Sequence, residues 1–248
     1  MRNPNALGSK DRQTVCVAVR PSPLLLDSGL INARSVKNKD VVLVDYIIDH
    51  NLDLLGITET WLSTGDRDNV DVGRLKPAGY EFRHVPRLTG RGGGLALIYR
   101  QSLTVNVERV DGFTSFECMV CNVSSNGKPC RIYMIYAPPP IRRLFIDEFS
   151  LFLENMPVSS SNVILAGDFN CHVNDIQNST ASALIDAAQT VGFTQHFRGA
   201  THDSGNTLDL VFSRLCENII ADVVTDSLQI SDHYPVLSKL NKALPSCT

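Results

Sequence analysis

The sequence predicts an α/β fold in four layers, a sandwich of two packed, mostly antiparallel β-sheets flanked by helices. Three observations lead there. Short runs rich in β-branched and aromatic residues far outnumber helical patterns, which does not suit a doubly wound sheet with one helix per strand. A chain of 248 residues with 43% hydrophobic content can bury one sizeable core and sits near the upper end of one-domain sizes. Finally, the apolar runs repeatedly stop at an acid, an amide or an aromatic hydroxyl, so the polar chemistry gathers where strands end.

The elements follow in order. Residues 1–27 are polar, contain Pro21 and Pro23 and show no sustained period, so they form a loose lead-in. The folded domain spans 28–241, and 242–248 make a short tail. After a first strand ending in "GLIN", "VVLVDYIIDH" is an amphipathic helix with Leu43, Val44, Ile47 and Ile48 on one face and Asp45 and Asp49 on the other. "LDLLGIT" is a buried strand that stops at Glu59. "FIDEFSLFLENM" makes a second helix through Phe145, Phe149, Phe152 and Leu153, and 184–191 a third. "YEFRHVP", "GGLALIYR", "LTVNVERV", "FECMVCNVS", "CRIYMIY", "NVILAGD", "TLDLVFS", "NIIADVV" and "YPVLSKL" all read as strands.

Composition narrows the class. The formal charge is only -3, so any polyanion must be met by a local basic patch. Seven cysteines, an odd number, fit reduced thiols and a nuclear or cytoplasmic protein that is not secreted. No signal peptide and no membrane-length apolar run is present, so no membrane partner is expected, and the protein is expected to be a monomer. The glycosylation-like triplets at Asn122 and Asn178 are chance matches in that setting.

The residues at the strand ends are Asn32, Glu59, Tyr136, Asp168 with Asn170, Asp209, and Asp232 with His233. Each alone has a plain alternative: a turn amide, a solvated strand end, packing before three prolines, an Asx turn. Asp209 is the hardest to dismiss, because an acid between Leu208 and Leu210 is costly to bury without a partner such as protonated His233. Together they supply what phosphodiester hydrolysis needs. Glu59, with Asn32 and Asp232, offers oxygen ligands to a hard cation, Mg²⁺ or Mn²⁺. Asn170, Tyr136 and His233 offer donors to the charge of the transition state, and Asp168 can orient and deprotonate water.

In register, "INARS", "TETWL", "YAPPP", "GDFN", "GNTLDLVFS" and "SDHYPV" resemble the endonuclease/exonuclease/phosphatase superfamily, the DNase I-like fold. "RLTGRGGGLALIYR" and "FTSFECMVCNV" narrow the resemblance to the apurinic/apyrimidinic-type endonuclease domain of non-LTR retrotransposons, the long interspersed elements. The resemblance implies Glu59 as principal metal ligand with Asn32 beside it and Asp232 near the metal. It implies Tyr136 and Asn170 on the scissile phosphate, Asp168 on the nucleophilic water, and His233 on a phosphate oxygen with Asp209 orienting its ring. Thr201 stands where retroelement enzymes carry a hydroxyl near the phosphate. Repair endonucleases often carry a metal-assisting acid where this chain has Arg34, which makes abasic-site repair less expected. The implied activity is Mg²⁺-dependent nicking of DNA, leaving a 3′-hydroxyl and a 5′-phosphate. The nick would prime reverse transcription of element RNA by a region this chain does not contain, so a fragment of a longer reading frame, or a stand-alone remnant, is expected.

Other motifs lack the right context. The glycine-rich stretch 90–94 precedes a strand instead of joining strand to helix, so it is a hairpin turn and no phosphate loop. Arg83, Arg87 and Arg91 lie in an acid-free window, 82–107, and are the expected contacts to the DNA backbone. Cys118 and Cys121 lack a second pair, and their strand spacing puts them on opposite faces, which argues against zinc. Two other functions remain open at this point: a phosphatase or phosphodiesterase of the same superfamily acting on a phospholipid or nucleotide, and a catalytically decayed DNA-binding remnant.

Overall fold

The computed structural model describes residues 25–63, 72–125, 128–157 and 162–241. The expected lead-in up to residue 24 and the tail 242–248 lie outside the described residues. Strand β1 is Leu25–Asn32, so the first strand begins within the stretch read from sequence as lead-in. The other strands are β2 (Leu54–Thr58), β3 (Tyr80–Val85), β4 (Leu95–Arg100), β5 (Thr104–Val110), β6 (Glu117–Ser125), β7 (Lys128–Tyr136), β8 (Val163–Asp168), β9 (Phe193–Gln195), β10 (Asp209–Arg214), β11 (Ile220–Thr225) and β12 (Val236–Asn241). The longer helices among the described residues are α1 (Asp40–Asp49), α2 (Arg143–Glu154) and α3 (Ser179–Thr190).

The strands form two six-stranded sheets, ordered β11-β12-β1-β2-β4-β3 and β5-β6-β7-β8-β10-β9. Most neighbours are antiparallel; β1 with β2 and β7 with β8 are parallel. The strand period of two sorts each strand between two cores. On β7, Ile132 and Met134 face the opposite sheet, where Leu30, Leu54 and Leu97 lie, while Tyr133 and Ile135 face α2 and α3. On β6, Cys121 faces the inter-sheet core and Cys118 the helices, so no thiol pair can clamp a zinc ion there. A third cluster packs α1 on the first sheet through Leu43, Tyr46 and Ile47. The fold is therefore the four-layer α/β sandwich expected of the sequence.

Helix α1 differs from its sequence reading in one respect. Tyr46 is buried and Ile48 is 57% exposed, because Ile48 lies about 100° further round the helix than Ile47 and so leaves the arc that Leu43, Tyr46 and Ile47 share. Helix α3 starts at Ser179, earlier than the apolar pattern suggested. Asn178 explains the start: its side-chain oxygen accepts from the Ala181 N–H at 3.0 Å, a helix cap. The short strand β9 carries no alternation to read, and it exists through its pairing with β10.

Topology now places the site. Parallel pairing puts the C-terminal ends of β1 and β2, and of β7 and β8, on the same side of their sheets. In register, Asn32 stands beside Thr58, Tyr136 beside Asp168, and Asp168 opposite Asp209 at the start of β10. An isolated bridge between His202 and His233 brings the loop before β12 to the same rim.

Candidate active site

At that rim the strand-end residues meet in two linked groups. In the first, the Asn32 amide, fully buried at the end of β1, donates to Glu59 Oε1 at 2.9 Å and to Asp168 Oδ2 at 2.8 Å. Its own oxygen accepts the Arg34 N–H at 2.9 Å, so Asn32 presents nitrogen to the carboxylates. Glu59 follows β2 in a left-handed turn, φ 52°, which aims its side chain back over the strand ends. Asn170, φ 48°, closes an Asx turn on Asp168. Its backbone N–H donates to Oδ1 at 2.9 Å, and its side-chain amide to Oδ2 at 2.9 Å and to the Ala137 carbonyl at 3.0 Å. The turn and the site are the same structure. Tyr136 is buried beside this group: burial first, then the Glu59 charge and a hydrogen bond to it, push its phenol well above the usual range.

In the second group His233 Nδ1 and Asp209 Oδ2 are 2.7 Å apart, both side chains buried. Burial opposes a charged imidazole, but the adjoining Asp209 carboxylate, its hydrogen bond, and the charges of Asp168 and Asp232 outweigh it and push His233 up to about 9. Asp168, Asp209 and His233 offer ligand atoms all within 4.8 Å of one another, which joins the two groups. Burial, and then the Asp209 charge, push the Asp168 carboxyl up.

The remaining expected residues have other surroundings. Asp232 is turned to Arg34, with which it is ion-paired, and to His202 Nε2 at 3.4 Å, instead of to Glu59. A permanent guanidinium beside it lowers its carboxyl despite partial burial. Thr201 is fully buried and its hydroxyl accepts the N–H groups of Leu208 at 2.9 Å and Asp209 at 3.0 Å. It thus holds the start of β10 from the inside, next to Asp209. Arg87 is ion-paired with Glu117 and lies 5.5 Å over the Tyr136 ring. Arg91 is exposed on the turn between β3 and β4, and Arg83 is exposed on the edge strand β3, two residues back from Val85 at the site end.

Sequence reasoning missed His202, whose ring meets His233 edge-on at 4.8 Å, and Ser231, whose hydroxyl donates to the Asn32 carbonyl at 2.6 Å and accepts the His233 N–H at 3.0 Å. Neither stands at a strand end, so the positional signal did not reach them. It also missed Trp61, whose indole N–H donates to Glu59 Oε2 at 3.0 Å.

The set suits a hard divalent cation. Glu59 and the aspartates offer oxygens, beside the imidazoles of His202 and His233, and among the described residues no Lys or Arg is ion-paired with Glu59 or Asp168. Asp209 Oδ1 and Asp232 Oδ1 are buried without a hydrogen-bond partner, although the second oxygen of each is ion-paired.

Comparison with known proteins agrees with the geometry. The family model described as Endonuclease/Exonuclease/phosphatase family matches residues 26–233. No curated protein matches the sequence. Among solved structures, an AP endonuclease from Leishmania major superposes with a TM-score of 0.69 at 15% identity, covering 88% of each chain. The endonuclease domain of TRAS1, a telomere-specific non-LTR retrotransposon, gives 0.68 at 13% identity, covering 88% of this chain and 99% of that one. A mannosyl-6-phosphatase of Bacteroides thetaiotaomicron gives 0.62 at 16%, covering 87% and 99%. At these identities the likeness is one of fold, and substrates differ across it. With the matched stretch running from the first strand to His233 and the strand ends converging on one acidic, imidazole-bearing rim, the chain belongs to the endonuclease/exonuclease/phosphatase family of hydrolases.

Proposed function

We propose that the protein is a metal-dependent phosphodiester hydrolase that nicks DNA, of the kind carried by non-LTR retrotransposons. The observation that carries this reading is the Asn32 amide bridging Glu59 and Asp168 beside the buried His233–Asp209 pair. Glu59 would hold the divalent cation, Mg²⁺ or Mn²⁺, which supplies Lewis-acid polarisation of a phosphate oxygen. Asn32 keeps both carboxylates in place. Asp168, its oxygens fixed by Asn32 and Asn170, orients and deprotonates the attacking water. Protonated His233, held by Asp209, donates from Nε2 to a non-bridging phosphate oxygen, and Tyr136 and the Asn170 region line the same face. Asp232 adds to the cation site when its pair with Arg34 opens.

Polymeric DNA is favoured over a small phosphate ester by the rim. Exposed Arg91 and half-exposed Trp61 stand on turns beside Glu59, where a strand of nucleic acid passing the site would meet charge and a flat ring. The described cysteines are free thiols, which supports a reducing compartment, nucleus or cytoplasm. Relaxation of supercoiled plasmid with Mg²⁺, with and without chelator, tests the reading beside Asp168→Ala and His233→Ala. Chelator-sensitive nicking lost in both variants is expected. Turnover of sugar or inositol phosphates with intact plasmid would overturn the DNA assignment in favour of the phosphatase reading, and inactivity of folded protein on every substrate would favour a decayed DNA-binding remnant.

A further inference from the structure

The glycine-rich stretch 90–94, a plain hairpin turn by sequence, lies against the turn that carries Glu59. Two backbone bonds join the turns: Thr60 N–H donates to the Gly94 carbonyl at 3.1 Å, and Trp61 N–H to the Gly93 carbonyl at 2.9 Å. A side chain at Gly94 would put its Cβ 2.6 Å from the Thr60 hydroxyl, and at Gly92 a Cβ would rest 3.4 Å from Trp61 Nε1. Both glycines also have positive φ, 85° and 78°, which only glycine adopts without strain. The turn is itself braced, since Glu117 accepts the Gly94 N–H at 2.7 Å and pairs with Arg87, whose guanidinium donates to the Arg91 carbonyl at 3.0 Å.

The result is a seat for one indole. Trp61, also left-handed with φ 55°, lies on Gly92 and donates its ring N–H to Glu59 Oε2, while Asn32 holds Oε1. Asn32 and Trp61 thus take one oxygen each, and the Tyr136 hydroxyl adds a third hydrogen bond to the carboxylate. The Asn32 donor comes from the buried end of β1, and the Trp61 donor from a ring 36% exposed at the rim. With a donor on Oε2 as well as on Oε1, rotation of the carboxylate about its terminal bond is restrained and its free lone pairs keep one direction.

We infer that Trp61 is a positioning residue for divalent-cation binding, acting through Glu59, and that the glycine-rich turn is the socket that seats it. This rests on Glu59 being the cation ligand. Removing such an outer partner weakens cation binding by about tenfold. Trp61→Phe keeps a smaller aromatic ring and deletes the N–H, so the comparison with Trp61→Ala, with unfolding midpoints alongside, separates the hydrogen bond from packing.

The experiment counts bound Mn²⁺ by electron paramagnetic resonance in the wild type, Trp61→Phe, Trp61→Ala and Glu59→Gln, with thermal unfolding of each. Expected are loss of the site in Glu59→Gln, an affinity about tenfold weaker in Trp61→Phe with an unchanged unfolding midpoint, and the same or greater loss in Trp61→Ala. Trp61 is the single tryptophan of the chain, so wild-type fluorescence should also change on Mg²⁺ titration, and Glu59→Gln should abolish that change. Wild-type affinity in Trp61→Phe, with the site lost in Glu59→Gln, overturns the inference alone. Unchanged binding in Glu59→Gln overturns the ligand assignment, and the inference with it.

Discussion

His233 Nδ1 stands 2.7 Å from Asp209 Oδ2 with both side chains out of solvent, the imidazole on the loop before β12 and the carboxylate at the first position of β10. Because the pair and the charges around it hold the ring protonated to about 9, the second ring nitrogen carries its hydrogen at neutral pH and is free to donate.

Asp209→Asn should keep the fold and lose nicking by about 10²-fold or more, since a neutral amide neither holds the imidazolium nor fixes the ring as the carboxylate does. Single-turnover plasmid nicking measures this. His233→Ala leaves the buried Asp209 carboxylate without its cation and should cost about 3–5 kcal/mol by denaturant unfolding. Near-wild-type nicking in Asp209→Asn would remove the pair from the mechanism.

Arg34→Ala should release Asp232, whose ion pair with Arg34 now occupies it, and remove a positive charge from the cation site. At the dielectric of bulk water the gain is about 1 kcal/mol, roughly a fivefold lower Mg²⁺ requirement. Titration of nicking against Mg²⁺ reads this directly, and a higher requirement would mean that Arg34 serves the site in place of restraining it.

Arg91→Ala should weaken DNA binding evenly across sequences and reduce the slope of log affinity against log salt by about 1, as loss of one phosphate contact does. Arg87→Ala should act otherwise, because Arg87 braces Glu117 and covers Tyr136. Its nicking rate should fall more than its DNA affinity. Fluorescence anisotropy at several salt concentrations, with nicking rates alongside, separates the two.

Glu148 on α2 clamps the turn between β5 and β6, accepting from Thr114 and Ser115 through both backbone and hydroxyl groups at 2.5 to 3.1 Å. Burial works against its charge, yet these bonds outweigh it and hold the carboxyl below its unfolded value of 4.5. Its contribution is therefore complete above 4.5 and fades as pH drops through the lower folded value. Glu148→Gln should lower the unfolding midpoint at pH 7, and the gap to wild type should narrow on acidification below 4.5. A gap independent of pH would show that the charge contributes nothing.

Much of the site was legible because it is written in position. Asn32, Glu59, Tyr136, Asp168 and Asp209 each interrupt or end an apolar run, and strand periodicity is a local property that a window of a few residues reveals. The same locality hid the supports. Trp61 reads as one more apolar residue after Glu59, the glycines at 92 and 94 as a hairpin, and His202 as loop polarity.

The sequence by itself determined the four-layer α/β class and the kinds of chemistry available at the strand ends, since alternation and strand-end acids are set by neighbours along the chain. Only the tertiary structure decided which group meets which. Asn32 reaches Asp168 across 136 positions and Arg34 reaches Asp232 across 198, so no local pattern foretells that Asp232 turns to a guanidinium instead of to Glu59. Thr201 shows the same limit: its hydroxyl oxygen accepts the N–H groups of Leu208 and Asp209, which would otherwise be buried unpaired, and the letters around it do not announce that role.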